Sequence, residues 1–296
     1  MDSILDYFIS LQESQPTDMP DHSVKMWNKR ADFWENARKK KQKGDERVDR
    51  AINYLASKGL LDKNYDVVDI GCGPGRFAAA FARHVHNVVG LDISDKMVEH
   101  GMNHIHNEGL ENAILHACDF QTLDIEKEGY QHAFDLVFSS MTPAIHGMNG
   151  LMKSIEMSRA WCCNITHLDG RNLLREQIMQ EVFGRQLEPQ WNGRWFFSLF
   201  NVLFLLGYNP ETSYEKHSRE TWVTPDELYV DFLMEHMLPS EEHTQENASK
   251  ISNWIQSHLN ENGQIKEITH TAYGTILWDV REKVSRPDYG TITKGI

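Results

Sequence analysis

Val67-Val68-Asp69-Ile70-Gly71-Cys72-Gly73-Pro74-Gly75-Arg76-Phe77-Ala78 is the stretch from which the fold can be read. It closes a short, β-branched apolar run, Asp66–Ile70, of the kind buried on both faces of a parallel sheet. It then passes through three alternating glycines into an apolar helix expected over Phe77–Ala82. Glycines at such a junction let the backbone turn tightly and approach a ligand with no side chain in between. Upstream, Val48, Ile52 and Leu55 recur at helical spacing from about Asp45, and Gly59 stands where that helix would stop. Downstream the order repeats: a strand Val88–Asp92, a helix opened by Ser94 and closed before Gly109, a weak strand Ala113–Ala117, a strong one Phe134–Ser140, a helix Asn149–Arg159 and a strand Ala160–Thr166. Strands alternating with helices in this way predict an α/β chain with a doubly wound, mostly parallel sheet and right-handed crossovers.

Beyond Thr166 the regularity weakens. A helix is expected over Asn172–Phe183, an apolar one within Gln190–Gly207, and two more within Pro225–Asn262. Candidate strands at Thr212–Val223 and His270–Val280 would form the edge pair that completes a seven-stranded sheet. The expected organisation is an N-terminal segment 1–44, an α/β core 45–184, helical insertions above the sheet plus the last two strands over 185–284, and a loose tail 285–296.

The 296 residues are 40% hydrophobic and 25% charged, an ordinary globular balance. Thirty Lys and Arg against 43 Asp and Glu give a net charge of −13, which repels phosphate backbones and anionic membranes and argues against nucleic acid or membrane as main partners. The one basic concentration, Lys25–Arg50, reads as a solvated helix face. No basic start followed by an apolar stretch opens the chain, and no window has the roughly 18 apolar residues of a membrane span, so a cytoplasmic protein is expected. Cys72, Cys118, Cys162 and Cys163 show no CxxC spacing, which indicates neither disulfides nor zinc.

Three acids accompany the glycines: Asp69 two residues before Gly71, Asp92 at the end of the second strand and Asp119 after the third. In a doubly wound sheet all three fall along the carboxyl edge, where ligands bind. Here the sequence resembles the class I S-adenosylmethionine-dependent methyltransferases, whose first motif is an acid followed by GxGxG; the resemblance covers roughly Asp45–Thr166. It implies the Rossmann-like methyltransferase fold, S-adenosyl-L-methionine as cofactor, S-adenosyl-L-homocysteine as product and a small-molecule methyl acceptor. By this resemblance Gly71, Cys72, Gly73 and Gly75 pass under the methionine and ribose, Asp69 approaches the amino group, and Asp92 receives the ribose hydroxyls, as a carboxylate can do with both oxygens. Ile93 packs on the adenine, and Asp119-Phe120 receives its amino group and ring. A further family position, Ser139-Ser140 and then Met141-Thr142-Pro143-Ala144, falls beside the reacting methyl. It lacks the Asn/Asp-Pro-Pro-Tyr/Phe pattern of enzymes that methylate planar amino groups and the acid of the metal-assisted type, so no catalytic metal is expected.

Met26-Trp27-Asn28-Lys29-Arg30-Ala31-Asp32-Phe33-Trp34 is similar to a segment that closes over the cofactor in small-molecule members of the family, which makes Trp27 a candidate acceptor contact. The alternative is an amphipathic helix packed on the sheet. His146 follows the strand-end segment and is the candidate general base. Trp191, Arg194 and Tyr208 are candidate acceptor contacts on the insertion, expected with its helices to form a substrate lid. His100, His104 and His106 read as a solvated helix face. Two other readings stay open: a nicotinamide-dependent oxidoreductase, because Gly73-Pro74-Gly75-Arg76-Phe77-Ala78 fits G-x-G-x-x-A, and a cofactor-binding protein without catalysis. A protein or RNA acceptor is the alternative to a small molecule.

Overall fold

A computed structural model describes residues 3–13, 24–28, 30–31, 45–187 and 193–289. Its seven strands are β1 (Asp66–Ile70), β2 (Asn87–Asp92), β3 (Ala113–Ala117), β4 (Phe134–Ser140), β5 (Ser158–Asn172), β6 (Glu211–Val223) and β7 (Ile265–Asp279), in the order β3-β2-β1-β4-β5-β7-β6. The pairs β1–β2, β1–β4, β2–β3 and β4–β5 are parallel. The sheet is thus doubly wound, with the two late strands at one edge as the sequence predicts. Strand order reverses between β1 and β4, which opens a crevice beyond their carboxyl ends.

The two longest disagreements with the sequence reading are strand lengths. β5 continues to Asn172 and β7 begins at Ile265, because their outer parts are half-exposed and polar and carry no continuous apolar run. No described helix is long and apolar enough to cross a membrane.

The chain divides into two compact units, one of residues 1–166, 194–213 and 275–296, the other of 167–193 and 214–274. In the first, Val67, Val68, Ile70, Leu136 and Phe138 are buried in β1 and β4. Its helices include, among the described residues, α1 (Ile4–Glu13), α2 (Glu46–Ser57), α3 (Arg76–Ala82), α4 (Asp95–Asn107), α5 (Gly147–Met157) and, after α6 (Leu173–Phe183) of the second unit, α7 (Arg194–Leu205). Phe77 and Phe81 of α3 lie 4.8 and 5.0 Å from the Phe138 ring and fasten that helix to the sheet. Asp45 caps α2, which buries Val48, Ala51, Ile52 and Leu55, and Ser94 caps α4. The second unit holds α6 (Leu173–Phe183), α8 (Glu227–Met237) and α9 (Gln245–Ser257) around Ile178, Leu233, Ile251 and Ile255.

This partition corrects the expected boundary at 184. α6 belongs with the second unit, since its buried face of Leu174, Ile178 and Met179 packs on α8 and α9. α7 belongs with the first: Ser198 donates to the Phe8 carbonyl at 2.6 Å, and the Phe8 and Phe197 rings are 5.4 Å apart. The start of the expected loose tail is also tied, because Arg286 donates to the carbonyls of Phe204 and Tyr208 and to Asn209, and stacks 3.9 Å over Phe204. Residues 290–296 lie outside the described residues.

Candidate active site

A cavity of about 400 Å³ lies in the first unit, beyond the carboxyl ends of β1, β2 and β4. The three motif glycines all have left-handed backbone, with φ of +71°, +53° and +70° at Gly71, Gly73 and Gly75, but each serves differently. A Cβ on Gly71 would fall 2.0 Å from Oγ1 of Thr142, so the strand-end segment after β4 sits directly on the glycine turn. At Gly75, which caps α3, a Cβ would come within 3.2 Å of the Gly101 Cα, so this glycine serves the packing of α3 on α4. A Cβ on Gly73 would meet no protein atom within 4 Å, and Gly73 lines the cavity. Of the three, this is the backbone placed to approach a ligand.

Asp92 accepts from the backbone N–H of Gly73 at 2.8 Å and of Ser94 at 2.9 Å. Burial raises its carboxyl above the usual range, against the pull of these two donors. Asp69 is buried beneath the turn, and its Oδ2 has no hydrogen-bond partner. Burial first, and then the charge of Asp92, push its carboxyl up to about 7 against the opposing Arg47 and Arg76. Asp119 holds its own loop, its carboxylate accepting from the Gln121 N–H at 2.9 Å. Burial pushes the Cys118 thiol, which also lines the cavity, up to about 11.

Of the residues singled out in the sequence, the cavity wall gathers Gly71, Cys72, Gly73, Asp92, Ile93, Asp119, Phe120, Ser140, Met141, His146 and Trp27. Asp69 and Gly75 stand behind it in the turn, and Ser139 is buried, accepting from Asn164 at 2.8 Å. Arg194 and Tyr208 are not brought to this wall. Tyr208 is buried against the C-terminal segment, with Lys283 5.5 Å from its ring. Trp191 lies outside the described residues.

The wall also takes residues the sequence reading passed over. Arg47 and Arg76 line it from the first turns of α2 and α3, and Arg76 pairs with Asp45 at 2.6 Å. Arg76 directly follows the last glycine, a signal that was there to be read. Gln121 carries no such signal, because its role comes from contacts across the fold. Met141 has a left-handed φ of 57°, a rare conformation for a residue other than glycine. Its N–H is anchored on the Ile165 carbonyl at 2.9 Å.

His146 Nδ1 lies 3.0 Å from the carbonyl oxygen of Pro143. That oxygen can only accept, so a proton on Nδ1 would make this a hydrogen bond and leave Nε2 its lone pair. Residues 24–28 and 30–31 are helical; Trp27 lines the cavity, while Asn28 donates to Asp95 at 2.7 Å and accepts from Ser94 at 2.5 Å. The rest of the stretch from Met26 to Trp34, namely 29 and 32–34, lies outside the described residues. Among the described residues no group of three or more His, Cys, Asp or Glu is placed to hold a metal ion.

Residues 67–158 match the family model of the methyltransferase domain. This stretch of the first unit is therefore similar to a methyltransferase domain. The chain is 31% identical over 93 residues to EEF1A lysine methyltransferase 2 of Danio rerio, a match covering 31% of this chain and 40% of that one. It is 30% identical over 108 residues to the 23S rRNA uracil C(5)-methyltransferase RlmD of Enterobacter sp., covering 36% of this chain and 24% of that one. A sterol 24-C-methyltransferase of Yarrowia lipolytica is 28% identical over 101 residues, covering 33% of this chain and 26% of that one. The chain therefore spans less than half the length of these relatives, whose names give a protein, an RNA and a sterol. The matched stretch contains the glycine turn, the three acids and His146; Trp27 and Arg47 lie before it.

Proposed function

We propose that this chain is an S-adenosylmethionine-dependent methyltransferase that passes the methyl group in line to a nucleophile on a small-molecule acceptor and releases S-adenosylhomocysteine. The observation that carries this reading is the open left-handed backbone of Gly73 beside Asp92. Two N–H donors engage the Asp92 carboxylate, which has about four lone-pair sites, so capacity remains for the two hydroxyls of a ribose. The unpartnered Oδ2 of Asp69 fits an ammonium group, and Arg47 and Arg76 fit the cofactor's carboxylate. Asp119 and Phe120 would hold the adenine end, with Ile93 on its face.

When bound, the cofactor supplies an electrophilic methyl on a sulfonium. That methyl would be open to in-line attack by an acceptor lone pair, with the carbon–sulfur pair leaving on sulfur as a neutral thioether. Nε2 of His146 would take a proton left on the acceptor. The protein's remaining work is alignment and exclusion of water, with the strand-end residues Ser140 and Met141 below and Trp27 as part of a closing cover.

The net charge of −13 supports a small acceptor over RNA. Incubation of the protein with methyl-labelled cofactor and size-fractionated cell extract tests this. Label is expected in the low-mass fraction. Label in protein or RNA would replace the small acceptor by a macromolecule, and no turnover in any fraction would leave a binding protein without catalysis.

A further inference from the structure

Gln121 lies between the two ends of the cavity. Its side-chain nitrogen donates to the Ala144 carbonyl at 2.6 Å and to the His146 carbonyl at 3.4 Å, and stands 3.3 Å from His146 Nδ1. Its backbone belongs to the other end: the N–H is held by Asp119, and the carbonyl accepts from Lys153 at 2.9 Å and Asn149 at 3.2 Å. Lys153 also donates to the Phe120 carbonyl at 2.8 Å and lies 5.4 Å over that ring. A second observation shows that room is kept for the amide. Gly150 of α5 carries no side chain where a Cβ would fall 2.8 Å from the Gln121 nitrogen.

The loop expected to meet adenine and the segment that carries His146 are thus fastened to each other by this amide, alongside the Asn149 and Lys153 bonds from α5. Both hydrogens of its nitrogen go to backbone carbonyls of the 144–146 segment, and this fixes where the imidazole is hung. A proton on Nδ1 shared with the Pro143 carbonyl would leave the lone pair on Nε2. We propose that Gln121 is a positioning residue through which adenine binding at Asp119-Phe120 sets the placement of His146. This rests on the methyltransferase reading of the same cavity. Its consequence is that a cofactor fragment carrying adenine alone orders the base, without the methionine portion.

The test uses the full chain with ¹⁵N-labelled histidine, the His146 ring signals being assigned by their loss in His146→Ala. Adenosine and S-adenosylhomocysteine are titrated in turn, and their binding is measured by calorimetry. Adenosine is expected to shift the His146 ring signals of the wild type. In Gln121→Leu it is expected still to bind while that shift is lost. Gly150→Ala, which displaces the amide from the other side, is expected to do the same and serves if Gln121→Leu fails to fold. An equal His146 shift in wild type and variants, or bound adenosine with no shift in the wild type, would overturn the coupling while leaving the cofactor site intact. Failure of both ligands to bind the wild type would overturn the cofactor reading, and the coupling with it.

Discussion

Two edges of one sheet treat the same side chain in opposite ways. At the amino ends of β1 and β4, Asp66 and Asp135 share the guanidinium of Arg159, at 2.9 and 2.6 Å, and His86 adds a contact to Asp66 at 3.0 Å. Against partial burial, these partners hold both carboxyls below the usual range. Three residues further along β1, Asp69 has one oxygen without a partner and a carboxyl pushed up to about 7, and Asp92 beside it is raised as well. Acids that only hold the fold are neutralised locally. Asp92 at the cavity and Asp69 behind its wall keep unused capacity, the arrangement expected where a cationic ligand completes the charge balance.

The largest expected difference between the two edges is in pH dependence. A raised carboxyl keeps its proton in the folded state after the unfolded chain has lost it, so Asp69 should lower stability progressively between about pH 4 and 7, with no further loss above. The upper bound is about 4 kcal/mol. Denaturant unfolding should therefore show Asp69→Asn gaining on the wild type at pH 8 relative to pH 5; a constant difference would break the contrast. Asp66 and Asp135 have the opposite sign. Their stabilisation is present above about pH 4 and is lost as pH falls through their lowered values.

Next in size, Asp92→Ala should lower cofactor affinity by about 10–100-fold, as expected for one or two charge-assisted hydrogen bonds, while unfolding remains cooperative. The glycines sharpen the same point. Gly71→Ala should unfold the turn or displace Thr142, whereas Gly73→Ala should cost only about 1–2 kcal/mol of stability, for the left-handed backbone, yet still impair binding. Calorimetry combined with denaturation would separate the two. Smallest is Arg159→Ala, expected to cost about 1 kcal/mol because the pair is partly exposed, with cofactor affinity unchanged. A loss of affinity there would mean that the amino edge is not merely structural.

The glycine turn and its three acids were legible because each stands at a strand end within one contiguous stretch, and strand ends are what periodicity marks. Other features depend on partners far along the chain. Thr142 matters because Gly71 lies under it, and Gln121 because Gly150 leaves it space. The register of α6 marked it as a helix, but nothing local said that Leu174 and Ile178 would face α8 and α9. Tyr208 was readable as an aromatic near a predicted insertion, while the Arg286 contact that buries it with the C-terminal segment was not.

The most direct measurement is a calorimetric titration of the whole protein with S-adenosylmethionine and, separately, with NAD. The open Gly73 backbone and the acids around it predict micromolar binding of the sulfonium ligand, a weakening of that binding by about 10–100-fold in Asp92→Ala, and no response to NAD. Binding of NAD alone, or of neither ligand, would contradict the account.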